Sequence, residues 1–197
     1  MFVFGHLGIG SKLVSPFTRG LSRRAVFLGA LLPDLIDKPL YYFLSWATGK
    51  RAAELGLISG TRTFGHTAMF LVLLTLIAVG ERSRVLAAVV LGVASHLVID
   101  NAGDQIFISG PHVHDLTVGL LWPFLGNHFP VMPYSGFQTH LLAILTSYVF
   151  TGEVIGAGLL AWDAWRARNS SWLRTREPAS KGRKRRPRRP RSKKQRD

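Results

Sequence analysis

The sequence predicts an all-α protein, a polytopic transmembrane helical bundle of about four membrane segments with a disordered basic C-terminal tail. Three observations predict it. Apolar residues make up 47% of the 197 positions despite a highly charged end, several apolar stretches approach bilayer length, and the charge is segregated along the chain.

Crossing a hydrocarbon core of about 30 Å takes about 20 residues of helix. Four stretches qualify to cross or enter a bilayer, at residues 25–47, 63–80, 85–100 and 139–165. The second is the cleanest, with no charge from Thr67 to Gly80. The first is interrupted by Pro33, Asp34, Asp37, Lys38 and Pro39, and a broken or re-entrant segment is expected there. Lys12, Arg19, Arg23 and Arg24 follow the first apolar run rather than precede it, which is not the order of a cleavable signal peptide.

The net charge of +14 resembles a nucleic-acid-binding balance until it is located. Residues 163–197 hold 15 Lys and Arg against 3 acids, net +12, and the preceding residues 10 against 8, net +2. The chain therefore divides into a membrane-embedded helical domain, 1–165, and a tail, 166–197, too polar and proline-rich to fold. Because it follows a hydrophobic segment, the tail reads as topogenic, kept in the cytoplasm by the positive-inside rule. Anionic lipid headgroups or nucleic acid, gripped through counterion release, are its alternative partners. With the tail inside and four crossings, the amino terminus and the Glu81–Arg84 turn are also cytoplasmic. Residues 101–138, which contain no Lys or Arg, then face outward, whereas Lys50, Arg51 and Arg62 fit this topology less well.

The chain has no cysteine, which excludes disulfides, thiolate metal sites and cysteine nucleophiles. Yet Asp34, Asp37, His66, His96 and Asp100 lie inside or beside apolar segments. A charge there loses several kcal/mol or more of solvation, in round terms, unless it is paired or bound to a metal. Imidazole and carboxylate are ligands that zinc, manganese and iron accept. Segments two and three form a hairpin turning near Arg82 and Ser83. At ~1.5 Å per residue, His66 lies about 25 Å from the turn, His96 about 20 Å and Asp100 about 26 Å, in one layer. His96 and Asp100, four apart, share a helix face, and Asp34 and Asp37, three apart, could project together.

The ordered set is His6, Leu32-Pro-Asp-Leu-Ile-Asp37, Arg62-Thr-Phe-Gly-His-Thr67, Ser95-His-Leu-Val-Ile-Asp100 and Leu121-Trp-Pro-Phe124. Over roughly residues 1 to 126 it resembles the family of membrane-bound, metal-dependent hydrolases that includes LexA-regulated bacterial inner-membrane proteins. Where that family commonly shows His-Arg-Gly-x-x-His-Ser, this chain has Thr61-Arg-Thr-Phe-Gly-His-Thr67. The resemblance implies an integral inner-membrane protein with a hydrolytic metal site, distantly similar to zinc-dependent phospholipase C. It implies His6, Asp34, Asp37, His66, His96 and Asp100 as metal ligands.

A divalent metal held by His and Asp, zinc first and manganese or iron as alternatives, activates water near neutral pH and polarises a phosphoryl or acyl oxygen. Six ligands exceed what one zinc needs, and two metals sharing a carboxylate would use them. Arg62, one turn before His66, reads either as a catalytic phosphate clamp or as an interfacial anchor. The expected function is hydrolysis of a phosphoester or lipid-linked substrate. Non-catalytic metal binding or ion handling is the alternative, and an adaptor whose polar groups merely pair with one another is a third. His112, His114 and Asp115 are a weaker second metal candidate. His128 and His140 read as surface or interfacial, Glu153 as a completing ligand or a cavity-facing group, and Trp122, Trp162, Trp165 and Trp172 as interfacial aromatics.

Overall fold

The computed structural model describes residues 3–107, 111–131, 137–145 and 147–176, with the side chains of 111–114, 140, 144, 147 and 170–176 left out. Every regular element among them is helical. The α-helices are α1 (Val3–Leu13), α2 (Arg23–Thr48), α3 (Ala68–Gly80), α4 (Arg84–Phe107), α5 (Pro111–Leu120), α6 (Phe137–Leu142) and α7 (Ser147–Arg176). Short 3-10 turns occupy Ala52–Leu55, Phe64–His66 and Ala143–Leu145.

Local chemistry sets the boundaries of the central elements. The Ser22 hydroxyl accepts from the Ala25 N–H at 3.4 Å to start α2, and Gly49, at φ 68°, ends it in the left-handed region. Both Pro33 and Pro39 lie inside this helix, so the expected break does not occur. Each proline removes one backbone donor, and buried Pro33 is approached closely by the loop at Gly65. The Thr67 hydroxyl accepts from Phe70 N–H at 3.0 Å and starts α3. His66 therefore stands in the turn before α3 rather than within a long helix from residue 63. The α3–α4 reversal falls at residues 81–83, as the hairpin reading expects.

The four expected membrane segments translate unevenly. Among the described residues α4 alone is long and apolar enough to cross a membrane, and α3 is apolar but only 13 residues long. Helix α3 leaves Val72, Leu73, Leu76, Ile77 and Val79 half or more exposed. Such a face is costly in water and ordinary against lipid.

Helix α4 is the centre of the bundle, packed against α1, α2, α3 and α5. Its contact with α2 is unusually close. A Cβ on Gly29 would meet the Val89 carbonyl oxygen at 2.1 Å, and one on Gly92 would meet the Val26 carbonyl oxygen at 2.2 Å. Val26, Ala88, Val89, Val93 and Leu97 fill the core around this crossing. At one end, the loop after α1 meets the α3–α4 turn, where the Arg84 guanidinium donates to the Gly20 carbonyl at 3.3 Å. Arg19 and Arg82 belong to the same loops, Arg23 and Arg24 open α2, and Lys12 stands at the last turn of α1.

The chain divides into two compact units, 1–162 and 163–197. The described part of the second, 163–176, is helical, so the tail expected to be disordered from residue 166 continues α7 as far as Arg176. Most of the expected disordered tail, 177–197, lies outside the described residues.

Candidate metal centre

The histidines and carboxylates singled out in the sequence converge at mid-depth of the bundle, away from its arginine-rich end. Helix α1 brings His6, α2 brings Asp34 and Asp37, the 3-10 turn brings His66, and α4 brings His96 and Asp100. His6, Asp37 and His96 are fully buried, and His66 and Asp100 nearly so.

Each histidine's orientation has a visible cause. The close α2–α4 crossing lets His96 Nδ1 reach the Ala30 carbonyl oxygen at 2.7 Å. His66 Nδ1 lies 2.7 Å from Asp37 Oδ2. A carbonyl and a carboxylate only accept, so both Nδ1 atoms carry the proton and donate. The two Nε2 atoms then turn away from those acceptors and face each other at 3.1 Å. Asp100 Oδ2 lies 3.7 Å from each of them, and Asp34 Oδ1 lies 3.5 Å from His66 Nε2.

Asp37 is occupied differently from its neighbour Asp34. Its oxygens accept from the backbone N–H groups of Thr63 at 2.8 Å, Gly65 at 2.9 Å and His66 at 3.2 Å, besides the His66 ring. The loop reaches this position because residue 65 is glycine: a Cβ there would lie 3.0 Å from Pro33 Cα. Sequence reading expects Asp37 among the ligands, but the structure sets its carboxylate behind His66, on the ring nitrogen remote from the cluster.

His6 stacks on His96 with ring centroids 3.8 Å apart. Its Nε2 lies 3.4 Å from Asp100 Oδ1, and neither of its buried ring nitrogens has a hydrogen-bond partner. Two overlapping groups each present ligand atoms within 4.8 Å of one another: His6, His96 and Asp100, and Asp34, His66 and His96.

These donors fit a divalent cation. Two neutral rings so oriented turn their Nε2 lone pairs toward each other at 3.1 Å, an arrangement that a shared proton or a bound cation relieves, and two nitrogens bound to one zinc at about 2.0–2.1 Å fall close to that separation. The orphaned nitrogens of His6 point to the same need, since buried polar groups are otherwise paired. An all nitrogen and oxygen donor set suits zinc, manganese or iron.

Arg62 contributes through its carboxylate partners. One guanidinium nitrogen lies 3.1 Å from Asp100 Oδ2 and the other pairs with Asp104 Oδ2. Burial disfavours the guanidinium charge, yet the two carboxylates more than offset it and raise the Arg62 pKa above the ordinary arginine value. A small cleft with room for a water opens beside this arrangement, lined by Arg62, His66, Asp100, Asn101 and Asp104 among others. Asp104 was not anticipated. Its signal was its spacing, four residues beyond Asp100 on the same face of α4.

The remaining candidates lie elsewhere. Glu153 does not join the cluster: its two oxygens accept from the backbone N–H groups of Phe4 and Gly5, both at 2.9 Å, at the start of α1. The side chains of His112, His114, His140 and Trp172 lie outside the described residues. Asp115 is half-buried and His128 exposed. Trp162 and Trp165 are about half exposed, while Trp122 packs edge-on to Phe64 at 5.6 Å.

A family described as "YdjM inner membrane protein" matches residues 1–175 of the chain. No curated protein and no solved structure matches.

Proposed function

The chain belongs to the YdjM inner membrane protein family, and from that premise we propose that it is a membrane-embedded, metal-dependent hydrolase acting on a phosphoester. The observation that carries this reading is the approach of His66 Nε2 and His96 Nε2 to 3.1 Å while both Nδ1 atoms are engaged by acceptors. His66, His96, Asp34 and Asp100, with His6 beside them, form the donor set for at least one divalent cation. When bound, the cation supplies Lewis acidity to a phosphoryl oxygen and makes water nucleophilic near neutral pH.

The chain's own groups do the rest. Asp37 fixes the tautomer and plane of His66, and the Ala30 carbonyl does the same for His96. Arg62 holds Asp100 in place and lines the cleft, where its remaining N–H groups can donate to a phosphate in bidentate fashion. Hydrolysis transfers a water oxygen to phosphorus and breaks the P–O bond to the alcohol, which departs with the second water proton. In the membrane, α2, α3 and α7 complete a four-segment bundle with α4. The arginine-rich end and the basic tail then lie in the cytoplasm, and the tail contacts anionic lipid or nucleic acid there.

Metal analysis of detergent-purified protein tests the reading. The wild type should carry stoichiometric divalent metal and Asp100→Ala should lose it. A phosphoesterase assay with Asp34→Asn as the control then separates turnover from non-catalytic metal binding or ion handling. Wild-type protein without metal would overturn the proposal.

A further inference from the structure

Asp34 faces two ways. Its Oδ1 lies 3.5 Å from His66 Nε2 at the metal centre, and its Oδ2 lies 2.6 Å from Lys38 Nζ. Asp34 and Lys38 also border an open groove that shares no lining residue with the cleft that holds Arg62. The walls of the groove are otherwise apolar: Val3 from α1, Leu31, Leu35 and Tyr42 from α2, and Phe137 and Leu141 from α6. Val3, Leu35, Phe137 and Leu141 are about half exposed. Tyr42 and Phe137 meet edge to face at 5.3 Å and join α6 to α2.

The depth of this groove is set by the helices. Counting from the arginine-rich end, Asp34 lies 11 residues along α2 from Arg23 and His96 lies 12 along α4 from Arg84, which at ~1.5 Å per residue is about 17–18 Å. With that end at the cytoplasmic surface, this is just past the middle of a hydrocarbon core of about 30 Å. A groove at such a depth opens onto acyl chains rather than water. It is a hydrocarbon-lined trough whose single polar edge, the Asp34–Lys38 pair, adjoins the histidine cluster.

We propose that this groove seats the hydrocarbon chain of a membrane phospholipid whose phosphate head reaches the metal centre past Asp34, while the small cleft beside Arg62 admits water. The inference rests on the metal-site reading and names its substrate class, a lipid phosphoester. The chemical match carries it: apolar walls suit the chain, and Lys38 with the bound cation suits the anionic head.

The test uses the full chain in detergent micelles with three probes: dioleoyl phosphatidic acid, which has chain and phosphate, dioleoylglycerol, which has the chain alone, and glycerol phosphate, which has the head alone. Binding is read by native mass spectrometry, and metal content is measured in parallel. Wild-type protein should retain the phosphatidic acid at least about tenfold more tightly than either fragment. Leu35→Trp and, independently, Leu141→Trp fill the groove and should abolish that preference while leaving metal content unchanged. Two groove-filling positions on different helices guard against one variant failing to fold. Equal retention of all three probes, or undiminished phosphatidic acid binding by both variants with metal in place, overturns the groove and spares the metal centre. Absence of metal from the wild type overturns both.

Discussion

Asp37 Oδ2 lies 2.7 Å from His66 Nδ1 while three backbone N–H groups of the 63–66 loop converge on the same carboxylate. A carboxylate that sequence spacing groups with the cluster thus orients one of its histidines.

The first expected outcome follows from that difference. Asp37→Asn keeps the size of the side chain but turns one acceptor into a donor facing other donors. Metal affinity should fall about 10- to 100-fold, as it does when a partner behind a ligating histidine is lost. Asp100→Ala, which deletes a donor, should lose stoichiometric metal altogether. Competition with a chromophoric chelator measures both.

His6 gives a prediction with two signs. Both of its buried ring nitrogens are without hydrogen-bond partners, so His6→Leu should stabilise the metal-free protein by about 1–2 kcal/mol. The same change should weaken metal binding and erase part of the thermal shift that metal produces. Melting curves in EDTA and in excess zinc should therefore move in opposite directions relative to wild type.

Arg62 neutralises two carboxylates that are nearly buried. Arg62→Ala should destabilise the protein by about 3 kcal/mol, because it leaves both charges without their cation. Pairing it with Asp104→Leu should recover part of the loss. A denaturant midpoint series on the single and double variants reads the effect, and additive behaviour would contradict the coupling.

Gly92 tests the helix crossing. Gly92→Ala places a carbon 2.2 Å from the Val26 carbonyl oxygen, so α2 and α4 must separate. Stability should fall by about 1–3 kcal/mol. The His96–Ala30 bond should lengthen with it, so metal affinity should fall even though the substituted residue touches no ligand.

Much of this centre was legible in the sequence because helices convert spacing into depth. The equal distances of His66, His96 and Asp100 from the 81–83 turn placed them in one layer, and their side chains do meet. What escaped reading depends on tertiary contacts. The role of Asp37 is set by a loop that reaches α2 only because Gly65 lacks a Cβ, and nothing in the spacing of Pro-Asp-x-x-Asp distinguishes its two acids. The continuity of α2 through two prolines was hidden for a similar reason, since propensity argues for a break and packing decides against it. Membrane-segment counting was limited by composition: α2 and α7 carry enough charge that apolarity alone marks α4.

The contact of Glu153 with the first turn of α1 joins residues 148 positions apart. His6 sits one residue beyond that fastening, so a growing polypeptide still on the ribosome cannot finish the histidine–carboxylate cluster until nearly all of it has been made. An interrupted product lacking the last helix would leave the first turn of α1 unfastened and bring an unmoored first histidine to the cluster.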